Sequence, residues 1–482
     1  MSPQLAFGGG IANSVFSPIA LVIVLMAGIL LLVLPGRKGI VPFFFAAILI
    51  PYDQVLVIGA YHFPMIRVMA VFGLLRILSK KITRGEEIFS GGINAIDIAM
   101  ILLGVFSAVD GVLLWQAWGE FVYQAGGLIT RFGLYFVLRS LIRDDEDIKR
   151  TLRVWIFVAV VVAAIMSCER LTGKNPVTAV LGGAHAVYHE TVDVRNGSMR
   201  ATGVFDHAIL AGTFGGISLP LFVGLWWKEK KHRAYTAMGI IAGTMIPVLA
   251  SSSTAMMGFI AAIIGLCSWR LRRHMRAIRW GIIGLIVVDE LRFKSHFWHI
   301  IADIDLTGSS SSWHRYMLVD ECYKHFTDWA LVGTKDFANW GWEMVDLSNQ
   351  YVATADSSGL IPLLSFVALI VFGYKYLGRA RRAADTAGDV KQELFIWAIA
   401  ASLFANTIAF VGISYFDQTC VAWYALLALI CAVTLPVRQL ELQDQALSIN
   451  KPRHIFNPSP APGPIRKTPI RENVEDILTW RK

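Results

Sequence analysis

The sequence predicts an all-α fold, a polytopic transmembrane helical bundle of about thirteen spans with a large, partly helical external loop between the tenth and eleventh. Three observations predict it. Of 482 residues, 55% are hydrophobic and only 16% charged, well below the roughly 25% charge of soluble domains. Apolar runs of about 20 residues recur along the chain, and the hydrocarbon layer offers no water to their backbone groups, so they must fold as helices. Lys and Arg collect in the short gaps between runs. That placement accounts for the net charge of +9 without any nucleic-acid partner.

Taken in order, the expected spans are 15–35, 40–60, 63–78, 95–115, 121–141, 153–168, 207–227, 235–250, 254–269, 275–288, 359–376, 394–415 and 419–436. The basic gaps fall on one face: Arg37/Lys38, Lys80/Lys81/Arg84, Arg143/Lys149/Arg150, Lys228–Arg233, Arg270–Arg279 and Lys375–Arg382. The positive-inside rule makes that face cytoplasmic, with the N-terminus outside and the C-terminus inside. Span 275–288 is short, and Arg276 and Arg279 can snorkel from its end. Counting it as a span preserves the alternation.

Residues 1–436 thus form the membrane domain, with external segments at 169–206 and 289–358. The tail, 437–482, contains NPSPAPGPIRKTPIREN and is too poor in large apolar residues to order itself; it is expected inside the cell. Five cysteines show no paired spacing, so neither a disulfide framework nor a zinc site is expected. His185 and His189 stand four apart, but HAVYH lacks the glutamate of a zinc helix. The start, MSPQLAFGGGIANS, has no basic region, so no cleavable signal is expected. No P-loop, dinucleotide fingerprint or G-x-S-x-G elbow occurs, and no metal or cofactor is expected.

Candidate chemistry concentrates in the external segments. Ser309–Ser312 offer an N-cap, and Tyr316, Val319, Tyr323 and Phe326 recur at helical spacing. That spacing predicts an amphipathic helix from near Trp313, its apolar stripe packed on the membrane domain and Arg315 in the first turn, off the stripe. The helix dipole opposes a cation there. The Arg315 fork suits phosphate oxygens, or it pairs with Asp320 or Glu321. Arg200 lies just before the span that His207 opens; it is an anion ligand or a headgroup anchor, and His207 a ligand or a helix cap. Asp346, Ser348, Asn349 and Gln350 are polar groups set against a membrane surface, beside the interfacial aromatics Trp340, Trp342 and Tyr351. Gly359 permits a tight turn into the next span. Of the charges within spans (Asp53, Arg67, Arg76, Asp97, Asp110 and Arg131), Arg131 faces the external side from mid-span.

The motifs RATGVFDHAILAG (200–212), SSSTAMMGF (251–259), HRYMLVDE (314–321), WALVGTK (329–335), DLSNQY (346–351) and SGLIPLL (358–364) occur in that order. Together they resemble the O-antigen ligase and polymerase family of bacterial envelope glycan enzymes, over roughly residues 200–376. The resemblance implies a metal-independent, GT-C-type glycosyltransferase of the bacterial inner membrane with its active site at the periplasmic face. Such an enzyme takes a glycan from undecaprenyl diphosphate and passes it to a sugar hydroxyl, polymerising exopolysaccharide or O-antigen repeats or ligating them to lipid A core.

By position, Arg200 and Arg315 match the family's proposed diphosphate ligands. Where ligases carry a His before the residue matching Asn349, this chain has Ser348, a poor general base. The catalytic set is then expected among His314, Asp346, Ser348 and Asn349, with Asp206 a further base candidate; Arg200, Arg315, Asp206, His207 and Arg131 are expected to hold substrate. Expected partners are the carrier-linked glycan, the acceptor glycan or lipid, membrane lipids and envelope polysaccharide assembly proteins. Two other readings stay open. A transporter or flippase of lipid-linked sugars would want internal repeats and midplane polar groups, and a non-catalytic scaffold would want neither.

Overall fold

The computed structural model describes residues 16–58, 61–85, 87–182, 194–195, 198–292, 296–303, 311–341 and 343–440. His185, His189, Ser309, Ser310, Trp342 and the tail from residue 441 onward lie outside them. The helices are α1 (Pro18–Val33), α2 (Ile40–Leu49), α3 (Met65–Arg84), α4 (Ala95–Trp115), α5 (Trp118–Leu141), α6 (Asp145–Thr172), α7 (Pro176–Leu181), α8 (Ala208–Lys228), α9 (Arg233–Ala250), α10 (Ser253–Cys267), α11 (Met275–Arg292), α12 (Ile300–Asp303), α13 (Ser311–Lys324), α14 (Phe326–Trp329), α15 (Gln350–Ser358), α16 (Leu360–Thr386), α17 (Val390–Ala409) and α18 (Thr419–Val433). Short 3-10 turns at Gly36–Gly39, Ser268–Leu271, Phe297–His299 and Phe337–Asn339 and two small antiparallel hairpins, β1 (Val55–Ile58) with β2 (Tyr61–Pro64) and β3 (Val194–Arg195) with β4 (Ser198–Met199), complete the described elements.

Among the described residues, eight helices are long and apolar enough to cross a membrane: α4, α5, α6, α8, α9, α10 with its extension to Leu271, α16 and α17. Helices α1 and α18 are apolar but shorter. Helix α3 is diluted by Arg67, Arg76, Lys80, Lys81 and Arg84, and α11 by charges at both ends. The expected span 40–60 is not one helix. Its helix stops at Leu49, before Pro51, and VLVI then pairs with YHFP in the register Val55↔Pro64 to Ile58↔Tyr61. The residue before a proline is pushed out of the α region, and a helix of ten residues reaches only about 15 Å, half the hydrocarbon thickness.

Helix α8 forms the centre, buried almost along its whole length and packed by α6, α9, α10 and α17. Small residues let it approach its neighbours: a Cβ at Gly212 would meet the Ala255 methyl at 2.5 Å. Helix α18 is likewise buried throughout. The outer helices turn apolar side chains outward instead. On α4, Ile98, Leu102, Val105, Val109 and Leu113 form one exposed stripe, a surface that suits lipid rather than water.

Ion pairs tie one end of the bundle together. Arg37 pairs with Asp144 and Asp147, Lys228 with Asp145, Arg153 with Glu229, and Glu393 with both Arg272 and Arg381. The basic gaps therefore share one end. The other end, where α6 finishes and α8 begins, lies about 40 Å away along α6, a helix of 28 residues.

Candidate functional site

At that second end the short connections between helices converge. Helix α9 closes on Ser251 in a left-handed conformation, φ 47°, and α10 starts at once. Ser252 is the cap residue of α10 yet its side chain makes no capping bond. The first backbone N–H groups of α10 therefore have no side-chain cap from Ser252, at the positive end of a 15-residue helix. Beside them the buried hydroxyls of Ser252 and Ser253 have no partner among the described residues.

Three arginines border this turn. Arg170, near the end of α6, donates to Ser251 Oγ at 2.9 Å and to the Met199 carbonyl. Arg200 follows directly and is only 8% exposed, its segment held by Ala201 N–H donating to Leu249 O at 3.2 Å. Arg315, also 8% exposed, donates from Nη2 to Thr254 Oγ1. Its expected alternative partners are engaged elsewhere: Asp320 and Glu321 hold Lys324, at 2.9 and 2.8 Å.

Arg315 reaches the turn because α13 is rotated from expectation. Of the expected stripe, Val319 packs against the inner cluster, but Tyr323 and Phe326 are exposed, and Tyr316 and Tyr323 meet the rings of His299, His296 and Trp298. The buried face is Ser312, Arg315, Leu318 and Cys322, with Leu318 and Cys322 packed among Trp329, Phe337, Met344, Val352 and Ala355. Aromatic rings can stack on one another at the surface, so their spacing did not identify the inward face.

The connection between α17 and α18 closes the far side. A Cβ at Gly412 would lie 2.5 Å from the Thr254 methyl and 3.4 Å from Arg315 Nε, so only glycine lets this strand of chain lie against that pair. Gln350 ties the same connection to α15, donating from its N–H to Phe410 O and accepting from Tyr415 N–H, both at 2.8 Å. Further along, the Asp417 carboxylate accepts from Thr419 N–H and Oγ1 at 2.8 and 2.6 Å and from Asp206 N–H at 3.3 Å. Burial pushes the Asp417 carboxyl up to about 6, the Thr419 bonds opposing and the neighbouring Asp206 charge assisting. Gln418 donates to Val204 O and Ile50 O at 2.7 and 3.1 Å, fixing the Asp206 segment from behind.

No family model matches this chain, and no curated protein matches it either.

The remaining expected residues divide. Asn349 caps α15, accepting from Tyr351 and Val352 N–H at 2.9 and 3.2 Å, and His207 Nδ1 caps α8 at Ile209 N–H. His314, half-buried, meets the Glu343 carbonyl at 3.0 Å, and exposed Asp346 closes the same turn with its N–H on Glu343 O. Ser348 is half-buried beside Asn349. Arg131 lies beside Tyr424 of α18. The convergent set is thus Arg170, Arg200, Ser252, Ser253, Thr254 and Arg315, with Asp206 and Asp417 adjoining. Arg170 and Asp417 escaped the sequence reading, and the two serines entered it only within the motif at 251–259. The one signal for Asp417 was an acid between two spans only a few residues apart.

Proposed function

We propose that this chain is a multi-pass membrane glycosyltransferase that moves a glycan from an undecaprenyl-diphosphate carrier to a sugar hydroxyl, polymerising repeats or ligating them to an acceptor. The observation that carries the reading is the Ser251–Thr254 turn. An uncapped helix start and two hydroxyls without partners there are bordered by Arg170, Arg200 and Arg315. Helix N-termini and guanidinium forks are the groups that hold phosphate oxygens. In the transfer the bond from sugar carbon to diphosphate oxygen breaks, the diphosphate gains charge, and the acceptor oxygen forms the new glycosidic bond. Its proton passes to a carboxylate, and the Asp206–Asp417 pair adjoins the turn. Donors aimed at developing charge commonly supply the largest catalytic term.

In this reading residues 289–358 and the turn face the periplasm, the basic end faces the cytoplasm, and α1, α3, α11 and α18 add crossings to the eight long apolar helices toward the expected thirteen. Reconstitution with a defined undecaprenyl-diphosphate oligosaccharide tests it. Longer product ladders identify polymerisation, and transfer to lipid A core identifies ligation. Arg315→Ala and Arg200→Ala should each lower transfer by about 10²–10³-fold at unchanged expression. Wild-type products from both variants would overturn the clamp, and carrier movement without a new bond would overturn the transferase.

A further inference from the structure

The opposite, basic end of the bundle holds a cavity that the transfer reading does not use. It encloses about 310 Å³ between the turn at Gly36–Gly39, the end of α3 and the segment after α5, and its charged lining is Arg37, Arg76, Lys80, Lys81, Glu87 and Arg143. Among the described lining residues five cations thus face one carboxylate. Arg37 is offset from outside by Asp144 and Asp147. Arg143 spends its donors on carbonyls, those of Ser140, Glu87 and Ile88 at 2.8, 3.1 and 3.3 Å, which satisfy hydrogen bonds and leave the charge in place. The Lys81 ammonium has no hydrogen bond or ion pair among the described residues. Basic gaps alone need only be solvated; these are gathered round a concavity where like charges repel.

We propose that this cavity binds a phosphate-bearing anion, with the headgroup of an anionic membrane lipid as its source. Lys81 and Arg143 would hold the phosphate oxygens. The flank of the same helix supports the lipid source: Leu75, Leu78 and Ile82 are exposed beside the cationic residues, and Val33 at the end of α1 is 74% exposed. Acyl chains would cover these side chains while the headgroup enters the cavity, the arrangement that basic pockets between membrane helices offer. The inference is independent of the transfer reaction, being at the other end of α6.

The test is thermal unfolding of the full chain in detergent with short-chain phosphatidylglycerol, short-chain phosphatidylcholine or inorganic phosphate added. A ligand that binds only the folded form raises the midpoint with its concentration. Phosphatidylglycerol is expected to raise it and phosphatidylcholine not to. A rise with inorganic phosphate as well would support the same site with free phosphate as its source. Lys81→Gln with Arg143→Gln should weaken the apparent affinity by about tenfold for each cation removed. Arg382→Gln, at the same end but outside the cavity, should leave it unchanged. If the double variant fails to fold, Lys81→Gln alone carries the test, since that ammonium makes no hydrogen bond or ion pair among the described residues. Equal shifts from phosphatidylglycerol and phosphatidylcholine, or a shift retained in the Lys81 variant, would overturn the proposal.

Discussion

Asp417 is buried, accepts three hydrogen bonds, and still has its carboxyl pushed up to about 6. Burial penalises the charged form, and the Asp206 carboxylate adds like-charge repulsion; the Thr419 bonds recover only part of that cost. If this pair takes the acceptor's proton, transfer must rise as pH passes through about 6, because a protonated acid cannot act as base. Asp206→Asn removes the like charge, so the rising limb should move to lower pH; Asp417→Asn should abolish that limb. A pH–rate profile of the three proteins decides it, and three superimposable profiles would remove the pair from the reaction. The sign for stability is the reverse. A carboxyl whose folded pKa is raised contributes stability in full below about 3.8, and that contribution is lost as pH climbs through about 6.

At the scale of elements, hydropathy located the long helices because burial in lipid demands continuous apolar runs, whatever else the residues do. It failed at residues 40–60, where Pro51 and an alternating VLVI/YHFP pair fold as a hairpin that is equally apolar. It failed again on α13, where aromatic spacing pointed outward and Arg315, read as off the stripe, lay on the inward face. Arg170 was unreadable for a related reason: its partners, Met199 and Ser251, are 29 and 81 residues distant, and no local pattern encodes them. Gly359 was legible, and the structure supplies its cause. With φ 80° and ψ −167° it occupies a region nearly closed to other residues, and a Cβ there would lie 2.7 Å from Leu331 O. Around it Leu360 N–H bonds Ala330 O at 3.0 Å and Thr334 N–H bonds Asp356 O at 2.8 Å, so two of the motifs dock on each other here. Gly359→Ala should cost about 1–3 kcal/mol and release residues 330–334. Faster limited proteolysis in that segment is the expected readout; an unchanged cleavage pattern would show that the docking does not depend on this glycine.

The described helical bundle is polar along its helix axes. One end gathers ion pairs and the cationic cavity; the other gathers short connections, buried arginines and an uncapped helix start. Such asymmetry has a consequence for insertion, since basic segments resist translocation and remain cytoplasmic. In the proposed orientation the site end faces outward, where a lipid-linked glycan would meet a water-soluble acceptor chain. Two exposed positions report the two ends: Val345, 80% exposed in the segment before α15, and Arg382, near the end of α16. In a background with exposed Cys168 and Cys267 replaced by serine, Val345→Cys should react with a membrane-impermeant maleimide in intact spheroplasts. Arg382→Cys should react only after permeabilisation. The opposite pattern would invert the molecule, put the Ser251–Thr254 turn in the cytoplasm, and leave an outward-facing transferase without physical basis.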